Sequence, residues 1–298
     1  MYNRFINRRW RFILPVLLAL ILSACSQVQF AYRQIDTAAQ WYIGSYVSLT
    51  KEQKQRASAA IEEVLKWHCE HELQQYAASL AELADSTEQG ALDLAVIHHW
   101  NVEIERAWGR LGQQLVPAAV DVLISLSDEQ ISELEANLAE SLADNRDEYA
   151  GSSYSSSNRS RRIEKNMARW FGKLDDSQKA RIKDWEAQSR PLLSSWNDSR
   201  EHWNRLFIQT LRSTTPTRSE QLTALLLTPE NFRLADHIEQ GRQWRESFNQ
   251  MLDDLYQSAS PKQRIRAANE LRSWQQDFEE LACRPDPSDT TLALTRTN

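Results

Sequence analysis

The chain has 298 residues, with 41 acidic against 35 basic side chains and a formal net charge of −6 at pH 7. This acidic balance excludes attraction to nucleic acid or to anionic lipid through net charge. The chain has only 7 Gly and 8 Pro, and long stretches are rich in Ala, Leu, Glu, Gln and Arg. These residues favour helix, and no segment shows a convincing strand-like alternation of apolar and polar residues. We therefore expect an all-α fold, an elongated bundle of long amphipathic helices.

The first 24 residues have the order of an export signal. Arg4, Arg8, Arg9 and Arg11 precede an apolar run of 11 residues, Phe12 to Leu22, and small residues follow. This basic, apolar, small-residue order is typical of a signal peptide. A transmembrane helix needs about 20 apolar residues, so a permanent transmembrane anchor is the weaker interpretation. Removal of residues 1–24 would change the charge to 31 − 41 = −10, because all four charges lost are arginines.

The residues Leu22, Ser23, Ala24 and Cys25 resemble the lipobox of bacterial lipoproteins. The resemblance implies that the Cys25 thiol takes a diacylglyceryl group, that the preceding peptide is cut, and that the new amino terminus is acylated. It also implies the periplasmic face of the outer membrane, because Ser26 rather than Asp follows the cysteine. One acyl chain holds a protein only marginally, whereas each buried methylene adds about 0.8 kcal/mol, so three chains would anchor it durably. The alternative is an ordinary signal peptide with a chance cysteine.

A local signature recurs where helices are expected to begin. A Ser, Thr or Asp can accept a hydrogen bond from a first-turn amide, and a Gln three residues later can reach back, which is a capping box. The signature occurs in Leu49–Gln53, Leu126–Gln130 and Leu174–Gln178, and more weakly in Ser260–Gln263. In the first three, a leucine occupies the position of a hydrophobic staple. Thr228-Pro229-Glu230 predicts another start, with Pro at the first helical position.

These starts place a short first helix over 29–47 and then a series of longer ones. The expected helices cover residues 51–84, 91–122, 128–148, 160–172, 176–212, 217–226, 229–257 and 261–282. Pro117 and Pro191 fall inside two of these helices and should kink or split them.

The expected helices fall into two halves after the signal peptide, residues 1–24. The serine-dominated segment 149–160 predicts an exposed loop between an N-terminal half, residues 25–148, and a C-terminal half, residues 161–283, packed on the first. Residues 284–298 have little to bury and predict a disordered tail.

Two cysteines remain once Cys25 is assigned to lipid. Cys69 and Cys283 form an even pair in a compartment that oxidises thiols. Cys69 shares a helix face with Leu65 and Leu73, as a residue in a helix interface would. The pattern favours a Cys69–Cys283 disulfide, which the chain-entropy model values at roughly 4 to 5 kcal/mol for so long a loop. The alternative is two buried thiols that never meet.

The histidines do not predict a metal centre. His68 and His71 are three residues apart with Cys69 between them, whereas His98 and His99 are adjacent and project about 100° apart on a helix. A zinc site needs three or four converging ligands. We expect structural or surface histidines, no metal, and no cofactor other than the covalent diacylglycerol and N-acyl chain.

Three of the 11 tryptophans invite a binding hypothesis. Trp185, Trp196 and Trp203 are spaced by 11 and 7 residues, which on one helix returns to within about 20° of the same direction. Pro191 can disturb this alignment. An exposed stripe of this kind could stack on sugars or hold apolar segments of unfolded proteins, whereas a buried stripe fills a helical core. The core is the favoured interpretation.

The sequence lacks the common enzyme motifs. It contains no nucleophile elbow, no His-Glu-x-x-His, no phosphate-binding glycine loop and no dinucleotide fingerprint. Adjacent carboxylates, as in Asp253-Asp254, are ordinary on helix surfaces. The sequence favours a non-enzymatic protein, with a cell-wall-associated enzyme as an alternative.

Two family resemblances follow from these motifs. An uncharacterised family of helical bacterial lipoproteins, a domain of unknown function that covers most of the mature chain, has a start that resembles Cys25–Tyr32, Asp36, Trp41–Ile43, Tyr46-Val47 and Leu49–Gln53. That resemblance implies fold and location but no activity. The Leu-Thr-x-x-Gln element at Leu49 to Gln53 is similar to the motif of the Spy and CpxP periplasmic chaperones, which are small, all-helical, ATP-independent binders of unfolded proteins. This chain is longer and more acidic than those chaperones.

We therefore expect a lipid-anchored envelope interaction or scaffold factor. Its partners would be the membrane, through the anchor at Cys25, and an unidentified envelope protein, without nucleic acid. An ATP-independent chaperone of the Spy and CpxP kind is the alternative. The sequence leaves the oligomeric state open.

Overall fold

A computed structural model describes residues 27–150 and 156–283, and these residues form helices and connecting segments with no strand. The all-α prediction is therefore confirmed. The expected signal peptide, Cys25 and the expected disordered tail lie outside the described residues.

Twelve α-helices follow one another in the described part of the chain. They are α1 (Gln27–Arg33), α2 (Ile35–Gly44), α3 (Lys51–His71), α4 (Leu73–Gln89), α5 (Leu94–Ile124), α6 (Asp128–Ala150), α7 (Ser156–Phe171), α8 (Asp176–Gln188), α9 (Arg190–Leu211), α10 (Arg218–Leu227), α11 (Ala235–Gln257) and α12 (Pro261–Leu281). A short 3₁₀ helix, Pro229–Phe232, lies between α10 and α11. None of the described helices combines the length and the apolar content needed to cross a bilayer.

All four capping boxes are present and begin α3, α6, α8 and α12. In the first, the backbone N–H of Gln53 donates to Thr50 Oγ1 at 3.2 Å, and the backbone N–H of Thr50 donates to Gln53 Oε1 at 2.9 Å. The weakest match in sequence, Ser260–Gln263, makes the same two hydrogen bonds at 3.3 and 3.0 Å. Local sequence was therefore sufficient to place these helix starts.

The four boxes meet in two pairs. Gln53 Nε2 donates to Gln130 Oε1 at 3.2 Å, and Gln130 Nε2 donates back to Gln53 Oε1 at 2.8 Å. Gln178 and Gln263 make the same reciprocal contact at 3.4 and 3.0 Å. Each pair fixes two helix starts side by side, α3 beside α6 and α8 beside α12.

Each pair lies within one helical half, and the two halves interlock through other helices. In the first half α3 packs on α5, and in the second half α8 packs on α11 in a corresponding way. The next helix of each half packs on the other half: α4 packs along α12, and α9 packs on α6. The largest buried cluster joins α5, α6, α9 and α10 and includes Val120, Leu211 and Leu222. A second joins α7, α8 and α11 around Ile182 and Leu255.

Several predicted boundaries were wrong. The first predicted helix is two short ones, α1 and α2, and the segment 51–84 is interrupted at Glu72. Pro191 lies in the first turn of α9, after a break at Ser189, so the expected split occurs there. Pro117 lies within the unbroken helix α5. It does not split α5 because it is exposed, as is Gln113, whose freed carbonyl can bond to water.

Two further starts differ from the sequence-based expectation. The predicted helix from Pro229 begins only at Ala235, because the Thr228 hydroxyl donates to the Ala224 carbonyl at 2.9 Å and is not used as a cap. The serine-rich loop predicted over 149–160 is shorter, since α6 ends at Ala150 and α7 begins at Ser156. The first turns of α7 gain a tertiary contact, because Arg159 pairs with the buried Glu186 at 3.4 Å.

Candidate functional site

An open groove of about 510 Å³ with several aromatic side chains in its lining lies between α4, α5 and α12. We call it the aromatic groove. Its lining residues are His68, Gln75, Tyr76, Ser79, Leu80, Trp100, Glu103, Ile104, Ala107, Trp108, Arg110, Leu111, Trp274 and Phe278. Apolar side chains form most of this lining, and a few polar groups lie at its edge.

One wall belongs to an apolar stripe along α5 that continues past the groove to Leu115. Ile104, Trp108, Leu111 and Leu115 follow one another at i, i+4, i+7 and i+11, so they share one helix face. Trp108 is 68% exposed, Ile104 is 50% exposed and Leu115 is 39% exposed. Such a stripe normally packs on another helix, but here no described helix covers it.

A chain of aromatic contacts forms one end of the groove. His68 stacks on Tyr32 of α1 with ring centroids 5.7 Å apart and meets Tyr76 edge-on at 5.5 Å. Tyr76 in turn meets Phe278 of α12 at 6.0 Å. These contacts tie α1, α3, α4 and α12 together, so this end of the groove is preformed.

A buried ion pair lies beneath these rings. Glu72, 1% exposed, stands between α3 and α4 and accepts two hydrogen bonds from Arg110 of α5, at 2.6 and 2.7 Å. Burial by itself would raise the pKa of Glu72, but the hydrogen bonds and charge of Arg110 outweigh it, so that pKa lies below its ordinary value. The Glu72 carboxylate therefore stays charged at neutral pH and holds Arg110 at the rim of the groove.

Burial also shifts the neighbouring groups toward their neutral forms. It lowers the pKa of His68 and raises the pKa of Tyr32 to about 12. Burial, followed by a hydrogen bond to Glu72, raises the pKa of Tyr76. At neutral pH this end of the groove holds a neutral imidazole and two phenols around one balanced ion pair.

The two cysteines meet at the same end. Cys69 and Cys283 are joined by a disulfide, with an S–S distance of 2.10 Å and Cα atoms 5.0 Å apart. The Cys283 N–H also donates to the Cys69 carbonyl at 2.9 Å. The bond attaches the end of α12 to α3 next to His68, so it holds together two of the elements that border the groove.

The histidines do not converge on a metal. Among the described residues, no group of three or more His, Cys, Asp or Glu side chains could hold a metal ion. His68 contacts Tyr32 and Tyr76, whereas His71 stacks on Trp67 at 6.1 Å.

The three tryptophans chosen from sequence do not form one stripe, because the helix break at Ser189 separates the first from the other two. Trp185 of α8 is 9% exposed and contacts Trp244 and Phe248 in the second buried cluster. Trp196 and Trp203 of α9 line a smaller cavity of about 220 Å³, where α9 meets the 3₁₀ helix and the start of α11. Only these two border a space that a ligand can enter.

Sequence reasoning missed the aromatic groove and the Glu72–Arg110 pair. The i, i+4, i+7, i+11 spacing in α5 was a visible signal for the groove, but the spacing alone does not show whether a helix covers the stripe. The lipobox residues, Leu22, Ser23, Ala24 and Cys25, lie outside the described residues, so the structure adds nothing to their assignment.

Comparison with known proteins gives one match. A model described as a family of unknown function (DUF6279) matches residues 45–237, which is more than half of the chain. The match includes three of the four capping boxes and carries no information on lipid attachment or on chaperones. No curated protein and no solved structure matches the chain.

Proposed function

The chain belongs to the DUF6279 family of unknown function, and we propose that it is a lipid-anchored, non-enzymatic interaction protein of the bacterial envelope. In this proposal the acylated Cys25 holds the helical body at the periplasmic face of the outer membrane. The aromatic groove then binds an amphipathic helix of a partner protein. The groove is the observation that carries the proposal.

The occupant is inferred from the geometry of α5. Ile104, Trp108, Leu111 and Leu115 repeat with the spacing of a helix face that packs on a second helix. The stripe spans 11 residues, or about three helical turns, so a helix of similar length would cover it. The charges beside it are balanced, since Glu103 pairs with Arg106 and Arg110 pairs with Glu72. Recognition would therefore depend on apolar contact, with Trp108 as the anchor.

The first two helices support a position at the membrane. Helix α1 begins two residues after Cys25. Phe30, Ile35, Trp41 and Tyr42 on α1 and α2 are 66, 38, 76 and 57% exposed. Tryptophan and tyrosine are enriched at membrane–water interfaces, where one side of the ring is apolar and the other is wet. Exposed aromatic residues beside a lipid anchor are expected to rest against the headgroups.

The capping boxes weaken the chaperone alternative. Thr50, Gln53 and Gln130 use their side chains in helix caps and in the reciprocal contact between helices, and Gln53 is 4% exposed. The two most specific side chains of the Leu-Thr-x-x-Gln element, Leu49 and Gln53, are therefore buried in the fold and not offered to an unfolded protein. A chaperone would instead use exposed apolar surface, of which the aromatic groove is one part.

Site-specific photo-crosslinking in intact cells tests the proposal. A benzophenone amino acid at position 108 should capture a folded envelope protein through a helical segment, as identified by mass spectrometry of the crosslinked peptide. The same substitution at Ile265, which is 48% exposed on α12, is the matched control and should not capture that peptide. Ile104→Ser should reduce capture at position 108 about tenfold, because an interface contact of this kind contributes about 1 to 2 kcal/mol.

Other outcomes separate the alternatives. Equal capture at positions 108 and 265 would contradict the groove. Capture of a second copy would identify self-association, and capture of many unrelated chains would favour the chaperone. If the protein is a chaperone, soluble residues 26–298 should also slow the aggregation of an unrelated unfolded protein without ATP. Trp108→Ala should abolish this effect.

A further inference from the structure

A second cavity, separate from the aromatic groove, lies where α9 meets α11 and the 3₁₀ helix. Its volume is about 220 Å³. Its lining residues are Leu138, Trp196, Ser199, Arg200, Trp203, Asn204, Pro229, Arg233 and His237. Two indoles and two guanidiniums in so small a space are an unusual combination, and they point to a ligand with both a ring and a negative charge.

Among the described residues the two guanidiniums have no carboxylate within ion-pair distance. The ion pairs of the described residues do not include Arg200 or Arg233, although the chain forms many other Arg–carboxylate pairs. Arg200 lies near the Tyr46 phenol, whose pKa is lowered by hydrogen bonds from Ser141 and Tyr42 and further by the charge of Arg200; this neutral neighbour does not cancel the guanidinium charge. Two like charges that face one cavity repel each other, and an anion between them would relieve that repulsion.

Nearby carboxylates are directed elsewhere. Asp198 pairs with Arg146 at 3.5 Å, and both Asp198 and Asp236 line a neighbouring cavity. The cavity itself contains no Asp or Glu side chain. His237 is 4% exposed, and burial, followed by the charge of Arg233, lowers its pKa. It therefore adds a hydrogen-bonding group without adding charge at neutral pH.

The indoles are held as flat walls. Trp203 stacks on Phe207 with an interplanar angle of 15° and donates its Nε1–H to the Leu225 carbonyl at 3.2 Å. Trp196 meets His237 edge-on at 5.4 Å and remains 39% exposed, so one face is open to the cavity mouth. Fixed indole faces stack well on sugar rings.

We propose that this cavity binds a phosphorylated sugar, with Arg200 and Arg233 on the phosphate and Trp196 against the ring. Guanidinium groups bind phosphate with two parallel hydrogen bonds, which makes paired arginines suited to this group. Asn204 supplies an amide that can hydrogen bond to a ring hydroxyl. A free sugar phosphate and a phosphorylated lipid headgroup present the same chemistry, and the experiment distinguishes these two sources. This site is independent of the aromatic groove, so either proposal can fail alone.

Isothermal titration of soluble residues 26–298 tests the site. Glucose 6-phosphate is the probe, and glucose and inorganic phosphate, its two chemical components, are the comparison ligands. Glucose 6-phosphate should bind at least tenfold more tightly than either half. Arg233→Gln should weaken its binding at least tenfold. Arg233 is exposed, so this variant should keep its circular dichroism spectrum and its melting temperature.

Two further arms complete the design. The control variant is Arg242→Gln on α11, whose side chain pairs with Glu239 and Glu246, and it should bind as the parent does. Phosphatidylcholine vesicles with and without phosphatidylinositol 4-phosphate test the lipid source, and binding to these vesicles alone would assign the site to a headgroup. The proposal is overturned if neither probe binds, if Arg233→Gln binds as well as the parent, or if phosphate or glucose alone binds as tightly as glucose 6-phosphate.

Discussion

Replacing Arg110 should lower the free energy of unfolding more than replacing Glu72, because the two side chains of this ion pair differ in exposure. Glu72 is 1% exposed and the Arg110 side chain is 37% exposed. Arg110→Met keeps most of the apolar stem but leaves a buried carboxylate without a counter-charge, which costs about 3 kcal/mol of unfolding free energy. Glu72→Gln leaves a guanidinium that can reach water, so its cost is discounted to about 1 to 2 kcal/mol.

The same pair predicts a dependence on pH. The pKa of Glu72 in the folded chain lies below its ordinary value of 4.5. Its contribution to stability is therefore present above pH 4.5 and is lost as the pH falls through the folded pKa. In Arg110→Met the carboxylate is buried without compensation, so its pKa should rise and protonation should relieve the cost. The difference in unfolding free energy between parent and Arg110→Met should shrink between pH 7 and pH 4.

Urea denaturation followed by circular dichroism measures both effects. Arg106→Met is a suitable control, because Arg106 pairs with Glu103 on the exposed surface of the same helix and should contribute less than about 1 kcal/mol. The reasoning is refuted if Glu72→Gln costs more than Arg110→Met, or if the difference between parent and Arg110→Met is equal at pH 7 and pH 4.

Three further predictions follow from particular contacts. Cys25→Ser should abolish labelling of the protein by radioactive palmitate and release it from the membrane fraction; retention of the label would refute lipidation at this residue. Mass spectrometry of a non-reduced digest should find Cys69 joined to Cys283, and their joint replacement by serine should lower the unfolding free energy by about 4 to 5 kcal/mol; two free thiols would exclude the bond. Gln53→Ala and Gln130→Ala should each cost about 1 kcal/mol, and the double variant should cost less than the sum because both changes break the same contact; strict additivity would contradict the reciprocal hydrogen bonds.

Local features of the fold were predictable, and contacts between distant segments were not. A capping box is contained within four residues, so the starts of α3, α6, α8 and α12 could be predicted from sequence. The partner of Gln53 lies 77 residues away at Gln130, and nothing within either box specifies that contact. The recurrence of the signature was the visible clue, but it did not show which boxes would meet.

The candidate sites depend even more on distant contacts. The apolar stripe of α5 could be read from sequence, yet its exposure follows from α4 and α12 packing against each other. Likewise, the spacing of Trp185, Trp196 and Trp203 assumed one straight helix, and the break at Ser189 directs them to different places. Arg200 and Arg233 are far apart in sequence and share a cavity only because α9 packs on α11.

The crossed packing of the two halves predicts that the chain unfolds as one unit. Helix α4 of the first half lies along α12 of the second, and α9 of the second half lies on α6 of the first. Each half therefore buries its apolar faces against the other. A protease site inserted at residues 151–155, between α6 and α7, allows the chain to be cut without removing any of these contacts. After cleavage and reduction of the disulfide, the two fragments should still elute together in gel filtration and melt in a single transition. Separation of the fragments, or two independent transitions, would show that each half is stable alone and that the crossed packing contributes little.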